Sequence, residues 1–288
     1  MLEDVVSYLR CPYCDSSLTL GPHTLRCAGG HSFDIAAQGY VNLMRGPSKH
    51  SGDGAAMVQA RAEFLSSGHY DFLIEAVADK VQAVAGHGIG SIVEAGAGTG
   101  HYLAAALDGT PNLAGIALDA SRYAARRAAR AHPRIGAVVC DTWDHLPIAS
   151  GGARVALVVF SPRNASELQR ILGADGTLIV ATPAAEHLQQ LVEALDLVRV
   201  DADKSARLEE QLGPHFEQLD GSTRETTLSL RHEDVRRLVF MGPSAHHLSD
   251  EEVGHRIAAL PETLEVTASV VITSYRPLPT DQGCAPCV

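Results

Sequence analysis

Three cysteines and one histidine near the N-terminus have the types and the spacing of a metal site. They follow the pattern C-x2-C-x12-C-x3-H and are Cys11, Cys14, Cys27 and His31. Three soft thiolates and one imidazole, grouped as two short hooks, are the ligand set of a closed tetrahedral zinc site. The first residues are acidic and form no signal-peptide pattern, so we expect a cytoplasmic protein with reduced thiols. Reduced cysteines favour a metal over disulfides, and the spacing favours a ligand role for His31 over an ordinary exposed histidine.

A glycine-rich turn marks a second site. Gly96, Gly98 and Gly100 follow the predicted strand Ser91–Ala95, which carries Glu94 near its end. Glycine lets the backbone turn sharply and approach a ligand closely. The spacing differs from the dinucleotide pattern G-x-G-x-x-G, and the chain has no P-loop sequence. An acid before the turn would repel a pyrophosphate but suits a sulfonium and an amino group, which favours S-adenosylmethionine over NAD.

Two further acids end the next predicted strands on the same edge of the sheet. Asp119 closes Leu113–Leu118, and Asp141 follows Ala137–Cys140. A carboxylate at the first of these places accepts the two ribose hydroxyls of an adenosine cofactor. The alternative for Asp119 is a surface acid that caps the helix starting at Ser121.

The net charge of −11 disfavours a broad nucleic-acid surface, because phosphate contacts need positive potential. One short segment is nevertheless rich in arginine: Arg122, Arg126, Arg127, Arg130 and Arg134. Arg122, Arg126 and Arg130 are spaced to share one face of a helix. A solvated helix face and an RNA-backbone contact are the two interpretations. No apolar run has the length of a membrane span, so we expect no membrane partner.

The order of predicted elements indicates an α/β fold behind a small N-terminal module. We predict a zinc-binding module at 1–36, a connector and helix at 37–69, irregular over 37–56, and a cofactor domain at 70–288. Beyond a second predicted helix, at roughly Tyr70 to Ala85, near-continuous apolar strands alternate with helices, as in a doubly wound, Rossmann-like parallel sheet covered on both faces. Thr226–Leu230 and Val266–Tyr275 alternate more regularly and are predicted to pair as an antiparallel edge.

These features together resemble the RlmA-type large-subunit rRNA (guanine-N1) methyltransferases, within them the actinobacterial subgroup that includes the tylosin-resistance methyltransferase. The likeness runs over nearly the whole chain, and the combination of motifs is more specific than any single one. The matching segments are Cys11–Cys14, Cys27, Gly30–Asp34, Gln38–Leu43, Ala60–Arg61, Ser67–Tyr70, Glu94–Gly100, Ala131–Pro133, Ser161–Asn164, Ala181–Pro183, His187–Leu188 and Met241–Ser244.

The resemblance implies a class I methyltransferase domain over 70–288 that transfers a methyl group from S-adenosylmethionine to N1 of a guanine in a 23S rRNA hairpin. In antibiotic producers such methylation gives macrolide-type resistance. The resemblance also implies zinc on the four N-terminal ligands and cofactor contacts from Tyr70, Gly98, Thr99 and His187. With the turn and its acids, the predicted cofactor residues are Tyr70, Glu94, Gly96, Gly98, Thr99, Gly100, Asp119, Asp141 and His187.

The acceptor side of the reaction is less determined by the sequence. Guanine N1 carries a proton that a carboxylate or a histidine must accept, and Asp141, His145 and His187 are the candidates. Ser161–Asn164 follows the fourth strand, where methyltransferases commonly hold the acceptor, and differs from the signature of exocyclic-amine methylation. Trp143, the only tryptophan, is compatible with lining the adenine pocket, lining the target pocket or packing in the core.

Two other functions stay open from the residues alone. A small-molecule methyltransferase of an antibiotic pathway rarely needs a zinc module, and a non-catalytic zinc-ribbon RNA-binding protein does not need the glycine turn. The sequence fixes neither the target nucleotide nor the oligomeric state, so a homodimer is left open. We expect the Cys284/Cys287 tail to be a disordered end, with adventitious metal binding or a disulfide as the alternative.

Overall fold

The computed structural model of the chain describes residues 1–46, 52–197, 204–242 and 249–279. The Cys284/Cys287 tail lies outside the described residues, as do Pro243 and Ser244 of one matching segment. No helix in these ranges combines the length and the apolar character that crossing a bilayer requires.

The N-terminal module is a short helix followed by a three-stranded antiparallel sheet. Its elements are helix α1 (Leu2–Val5), a 3-10 turn (Val6–Tyr8), and strands β1 (Leu18–Leu20), β2 (Thr24–Cys27) and β3 (Ser32–Asp34). A hairpin forms around Gly21, with Leu18 opposite Cys27, and β3 then pairs with the other side of β2. The pairing of β1 with β2 brings the turn before β1, which carries Cys11 and Cys14, beside the turn between β2 and β3, which carries Cys27 and His31.

An eight-stranded sheet forms the rest of the framework. Its strands are β4 (Tyr40–Asn42), β5 (Gly90–Ala95), β6 (Leu113–Asp119), β7 (Ile135–Val139), β8 (Val155–Val159), β9 (Thr177–Pro183), β10 (Phe216–Arg231) and β11 (Thr263–Pro277). The spatial order is β10-β11-β9-β8-β5-β6-β7-β4. Strands β4 to β9 pair in parallel, and β11 joins both β9 and β10 antiparallel, which confirms the predicted edge pair.

This strand order confirms the predicted Rossmann-like fold. The chain order runs outward in one direction from β5 through β6 and β7, and in the other direction from β8 to β9. A ligand crevice forms where the order reverses, outside the carboxyl ends of the central strands. The glycine turn after β5 and the segment after β8 therefore face each other across that crevice.

Helices cover both faces of the sheet. They are α2 (Ala55–Leu65), α3 (Asp71–Ala85), α4 (His101–Asp108), α5 (Arg122–Ala128), α6 (Ala165–Leu172), α7 (Gln189–Ala194), α8 (Lys204–Leu212), α9 (His232–Phe240) and α10 (Asp250–Ala258). Consecutive residues of one strand enter different hydrophobic clusters, as with Ile92 and Val93 of β5. This alternation explains the continuous apolar strands of the sequence, because both faces are buried.

Two local predictions are wrong. The expectation of an irregular segment over 37–56 fails at Tyr40–Asn42, which add β4 to the sheet beside β7. The predicted common face of three arginines also fails, because α5 ends at Ala128 and Arg130 lies in the turn beyond it. Pairing with β7 supplies the hydrogen bonds that β4 lacks in isolation, so local sequence did not reveal it.

The zinc module shares its core with the large sheet. Leu9, Leu25 and Phe33 belong to the same buried cluster as Ile116 and Val138 of the central strands. Backbone hydrogen bonds add to this contact, including one of 2.9 Å from the Arg10 N–H to the Pro147 carbonyl. The predicted domain boundaries at residues 36 and 69 stay predictions. The hydrophobic cluster continues across residue 36, so the zinc module and the large sheet do not have separate cores.

Candidate cofactor cleft and metal centre

The predicted metal ligands converge on one point. One side-chain ligand atom from each of Cys11, Cys14, Cys27 and His31 lies within 4.8 Å of the others. The sulfurs of Cys14 and Cys27 are 3.6 Å apart, and Nδ1 of His31 is 3.3 Å from the Cys27 sulfur and 3.5 Å from the Cys11 sulfur. Zinc–sulfur bonds of about 2.3 Å in a tetrahedron place sulfurs about 3.8 Å apart. The four groups therefore fit a zinc ion.

The surroundings act differently on the ligands of the cluster. Burial raises the pKa of the Cys11 thiol, and the hydrogen bond with Cys27 raises the pKa of the His31 imidazole. A hydrogen bond with the Ser16 hydroxyl, supported by the Ser16 backbone, lowers the pKa of the Cys14 thiol to about 6, which favours the thiolate. The ring of Tyr13 stacks on the His31 ring at 5.0 Å and on Phe33 at 6.2 Å. This stack holds the imidazole with Nδ1 toward the three sulfurs.

The glycine turn is built as a close-approach site. Gly96, Gly98 and Gly100 have φ values of 74°, 54° and 80°, a region that residues with a Cβ rarely adopt. The N–H groups of Gly96 and Ala97 both donate to the carbonyl of Leu118, at 2.8 and 2.9 Å. The turn is thereby fixed against the end of β6, and its backbone lines a cleft of about 280 Å³.

Asp119 reaches into this cleft with its carboxylate oriented by two backbone groups. Oδ2 accepts from the Gly98 N–H at 2.8 Å, and Oδ1 accepts from the Ser121 N–H at 2.8 Å. The capping alternative is not what is seen, because the Ser121 hydroxyl itself accepts from the first backbone N–H groups of α5. Burial raises the pKa of Asp119, and the two N–H groups oppose that rise. Each oxygen keeps lone pairs for a further donor, as a ribose diol requires.

Glu94 is a buried acid with an unsatisfied oxygen. Its side chain is 1% exposed, it lines the cleft, and Oε2 has no hydrogen-bond partner among the described residues. Burial raises the pKa of this carboxyl well above its usual value. An orphaned carboxylate oxygen at a ligand cleft fits a cationic ligand group, and the glycine cradle and Asp119 fit an adenosine.

Tyr70 lines the cleft, whereas His187 lies behind it. The side chain of Tyr70 is 2% exposed, and Nε2 of His187 is 3.3 Å from its hydroxyl. Nδ1 of His187 accepts a 3.2 Å hydrogen bond from the Ser269 N–H, so neutral His187 carries its proton on Nε2 and donates to Tyr70. The structure therefore places His187, predicted as a direct cofactor contact, outside the described lining of the cleft and in contact with Tyr70.

The candidate proton acceptors are separated by the structure. Asp141 lines the cleft and accepts a 3.0 Å hydrogen bond from the Trp143 N–H. His145 instead joins the zinc module to α6, with Nε2 3.5 Å from Asp15 and Nδ1 3.2 Å from Glu167. Among the residues described as lining the cleft, neither His145 nor His187 appears.

Several lining residues were not singled out from the sequence. Arg61 of α2 forms an ion pair with Asp53 and donates to the Met241 carbonyl at 2.8 Å, which closes one side of the cleft. Phe160, directly after β8, is 41% exposed and has a φ of 50°. Arg61 lies in a segment that matched the family pattern, whereas nothing local in the sequence marks Phe160.

A second cavity of about 800 Å³ lies between α2, α4 and α5 and meets the cleft at Thr99 and His101. We call it the arginine groove. Its cationic lining comes from Arg126, Arg127 and Arg130. Arg122 is not in the described lining, and its guanidinium lies 5.0 Å from the centre of the Tyr123 ring. The groove thus concentrates positive charge on a chain that is acidic overall.

Comparison with known proteins assigns the family. Residues 9–52 match the zinc-ribbon model described as RlmA, N-terminal. The chain is 50% identical over 280 residues to the 23S rRNA (guanine(748)-N(1))-methyltransferase of Streptomyces fradiae, with 97% of this chain and 100% of the relative covered. This chain belongs to the RlmA-type 23S rRNA (guanine-N1) methyltransferase family. A relative from Micromonospora griseorubida is 48% identical over 295 residues, covering 96% of this chain and 100% of its own.

The RlmA-type assignment confirms the resemblance inferred from the motifs. The zinc-ribbon match contains all four predicted metal ligands and continues to residue 52, past the predicted module end at 36. Among solved structures, a SAM-dependent methyltransferase of Geobacter sulfurreducens in complex with S-adenosyl-L-homocysteine covers 70% of this chain and 91% of its own, with 13% identity and a TM-score of 0.46.

Proposed function

We propose that this chain transfers the methyl group of S-adenosylmethionine to N1 of guanine 748 in 23S rRNA. The observation that carries the proposal is the similarity over the full length of the S. fradiae guanine-748 enzyme, which includes both the zinc ribbon and the cleft. The target position comes from that relative. The cleft supports it, because its glycine turn, buried acids and buried tyrosine suit an adenosine and a cationic amino-acid end.

The cofactor residues are proposed by position in the cleft. The backbone of Gly96–Thr99 cradles the ligand, and Asp119 accepts from the ribose hydroxyls. Gly100, also predicted as a cofactor residue, is outside the described lining of the cleft and packs against Ala128 of α5. Glu94 faces the cationic groups, and the hydroxyl of Tyr70 is held by His187 from behind. Zinc on Cys11, Cys14, Cys27 and His31 fixes the N-terminal module in its fold.

S-adenosylmethionine, when bound, supplies an electrophilic methyl group for an in-line displacement. The protein has to align guanine N1 with that methyl group and exclude water from the cleft. Asp141 is the one of the three acceptor candidates that lines the cleft, and we assign it the N1 proton. His187 acts through Tyr70, and His145 ties the zinc module to the large sheet.

The RNA is proposed to contact the arginine groove and the zinc module. Phosphates favour concentrated guanidinium groups, and Arg126, Arg127 and Arg130 provide them next to the cofactor cleft. Because the net charge is −11, a local cationic groove rather than a broad field must attract the backbone.

Mapping of the modified base tests the proposal. We expect N1-methylguanosine at position 748 when purified enzyme and S-adenosylmethionine are added to unmethylated 23S rRNA. Methylation at N1 blocks Watson–Crick pairing, so reverse transcription stops beside that base. Methylation at another guanine would correct the position, and cofactor binding without any rRNA methylation would favour the small-molecule alternative. Absence of cofactor binding in calorimetry would favour the non-catalytic zinc-ribbon alternative.

Macrolide-type resistance is the finer part of the proposal. Expression of the enzyme in a sensitive host should raise the inhibitory concentration of a macrolide that binds beside the methylated hairpin. The Asp119→Ala variant, which should lose roughly 1–3 kcal/mol of cofactor binding, is the matched control. If hosts with the wild-type enzyme and with the control variant are equally sensitive to the macrolide, the methylation does not cause resistance.

A further inference from the structure

The connection from β7 to β8 contains no helix. Parallel strands are usually joined by a helix, whose backbone satisfies its own hydrogen bonds. Residues 140–154, which we call the crossing loop, instead run over the sheet as turns and irregular backbone. Leu146 and Ile148 of this loop are fully buried, in the hydrophobic cluster that also holds Leu2 of α1 and Leu168 of α6. The buried backbone of the loop therefore needs hydrogen-bond partners from other elements.

Two side chains of α6 bind the half of the crossing loop that is farther from the cleft. Oε2 of Glu167 accepts a 2.7 Å hydrogen bond from the Leu146 N–H. Arg170 donates to the Leu146 carbonyl at 2.9 Å and to the Ile148 carbonyl at 2.7 Å, and it bonds Glu167 through two nitrogens at 2.6 and 2.8 Å. Burial opposes the ionisation of Glu167, but Arg170 and the Leu146 N–H hold its pKa below the ordinary value. The ion pair stays charged and fixes this half of the loop.

Asn164 binds the half of the crossing loop that is nearer to the cleft. Its side-chain amide donates to the Trp143 carbonyl at 2.8 Å and to the Asp144 carbonyl at 3.2 Å. Its side-chain oxygen accepts from the Glu167 N–H at 3.4 Å and so caps α6. Asn164, Glu167 and Arg170 are spaced i, i+3 and i+6, which places them along one face of the helix. We call these three residues the α6 ladder.

The residues that Asn164 holds also orient Asp141. The Trp143 N–H donates to Oδ1 of Asp141 at 3.0 Å, and the Asp144 N–H donates to the Asp141 carbonyl at 3.2 Å. Because Asn164 fixes the carbonyls of the same two residues, it fixes the turn that begins at Asp141. Asp141 lines the cofactor cleft, whereas the described lining contains no member of the α6 ladder. The ladder therefore reaches Asp141 through the backbone of the loop.

The zinc module holds the other side of the crossing loop. The Arg10 N–H donates to the Pro147 carbonyl at 2.9 Å, and the Ala149 N–H donates to the Tyr8 carbonyl at 2.8 Å. Both bonds lie beyond residue 146, at the end of the loop that is farther from the cleft. The module thus anchors the far end, and the α6 ladder continues the attachment to the cleft end.

We propose that Asn164, supported by the rest of the α6 ladder, is a positioning residue that holds Asp141 where it can take the guanine N1 proton. The proposal rests on the proposed function and on the assignment of Asp141 within it. A general base must lie within hydrogen-bond reach of the proton, and a misplacement of about 1 Å can slow a reaction greatly. Capping of α6 uses only the side-chain oxygen of Asn164, so capping does not explain the two bonds that its amide donates to the loop.

Substitutions that keep the cap but remove the amide test this role. Asn164→Asp and Asn164→Ser both retain a good helix cap, but the carboxylate cannot donate and the serine is too short to reach the loop. We expect kcat to fall roughly 5- to 50-fold in both, with KM for the rRNA hairpin and calorimetric S-adenosylhomocysteine affinity within about threefold of wild type. The unchanged affinity also reports that the variants are folded.

Gln169→Ala is the matched control. This side chain lies on the same helix, but it bonds the Leu278 carbonyl at 2.9 Å and His215 at 2.7 Å rather than the crossing loop. The variant should keep the wild-type kcat. Fluorescence anisotropy of Trp143, the only tryptophan, gives a readout that needs no reaction. It should fall in free Asn164→Ser, because the loop gains mobility, and stay at the wild-type value in Gln169→Ala.

A double-mutant cycle shows whether Asn164 acts through Asp141. Asn164→Ser added to Asp141→Asn should lower kcat no further, because the group that it would displace has already lost its ability to take the proton. If the two losses in kcat instead multiply, Asn164 acts independently of Asp141 and the proposal is overturned.

The remaining outcomes separate the positioning role from the proposed function. A wild-type kcat in both Asn164 variants overturns the role while the function stands. A loss of S-adenosylhomocysteine affinity as large as the loss of kcat also overturns it, because Asn164 is then needed for the fold of the whole cleft. A wild-type kcat in Asp141→Asn removes the group to be positioned, with the same consequence. A wild-type enzyme that methylates no rRNA overturns the proposed function and the positioning role with it.

Discussion

At the scale of one residue, the position of Glu94 lowers folding stability and leaves a carboxyl oxygen available to a ligand. The fold buries its carboxyl group and leaves Oε2 without a partner among the described residues. Its pKa in the folded chain is raised well above the ordinary value of about 4.3. The folded state therefore binds the proton more tightly than the unfolded state. Stability is lost as pH rises from the ordinary pKa through the raised one.

Glu94→Gln should therefore stabilise the folded protein and weaken its binding of the cofactor. At neutral pH we expect a higher Tm than wild type, because the amide removes the cost of burying an ionisable group. The difference should shrink as pH approaches 4, where the wild-type carboxyl is protonated in both states. Cofactor affinity should fall by roughly 1–3 kcal/mol. Scanning calorimetry over pH and titration calorimetry provide the two measurements.

Proton release is the control for this interpretation. If cationic groups of the cofactor ionise Glu94, wild-type binding releases a proton, and its enthalpy depends on the ionisation enthalpy of the buffer. Glu94→Gln should lose that dependence. A wild-type binding enthalpy that is the same in phosphate and in Tris at neutral pH would contradict an ionisation of Glu94 on binding.

Asp141→Asn should separate proton transfer from cofactor binding. The amide keeps the shape and can still accept from the Trp143 N–H, but it cannot take the proton of guanine N1. We expect kcat to fall by about 100-fold or more, with S-adenosylhomocysteine affinity within about threefold of wild type. A large loss of that affinity with little further loss in kcat would reassign Asp141 to the cofactor.

At the scale of elements, α5 is short, and the arginines at its end and just beyond it line the arginine groove. The helix ends at Ala128, so Arg126 and Arg127 on the helix and Arg130 in the turn reach one cavity from different backbone positions. Arg127 hydrogen-bonds Gln59 of α2, which keeps the two walls of the groove together. Helical spacing alone predicted that Arg122 would lie beside Arg126 and Arg130, whereas Arg127 takes that place in the groove.

Charge reversal in the arginine groove should weaken RNA binding and flatten its salt dependence. Arg126→Glu with Arg130→Glu should reduce the slope of log affinity against log salt by about one for each phosphate that the protein no longer neutralises. Cofactor affinity should not change. Arg224→Glu is the matched control, because it is exposed on β10 at the far edge of the sheet. An equal effect in the control would show a general charge effect rather than a groove.

At the scale of the whole molecule, the zinc module and the large sheet form one packed body. Helix α1 lies against β7 so closely that a Cβ on Gly136 would overlap a methyl carbon of Val5. His145 adds a polar tie between Asp15 of the module and Glu167 of α6. Removing the module would therefore uncover part of the large domain's core.

Removal of zinc should therefore destabilise the whole chain. Chelation, or Cys14→Ser, should lower the Tm of the single unfolding transition and weaken cofactor and RNA binding together. The matched control is Cys140→Ala, which changes a buried cysteine outside the metal cluster and should keep one zinc per chain in metal analysis. Two separate transitions, with only the first sensitive to chelator, would instead support an autonomous large domain.

Much of the site was determined by the sequence because its parts are local. The hooks of Cys11–Cys14 and Cys27–His31 set the ligand distances within a few residues, and the turn Gly96–Gly100 needs only its own φ values. The apolar strands also determined the sheet class, since covering both faces requires continuous hydrophobic runs. These features depend on residue type and short spacing, which a sequence states directly.

Only the tertiary structure decided which side chains meet across the fold. It added Tyr40–Asn42 to the sheet, moved His187 behind Tyr70, took His145 away from the cleft, and brought Phe160 to it with a positive φ. It also packed the zinc module and the large sheet around one shared hydrophobic cluster. Each of these facts depends on contacts between segments distant in sequence, where long-range pairing overrides local preference and decides the direction of a side chain.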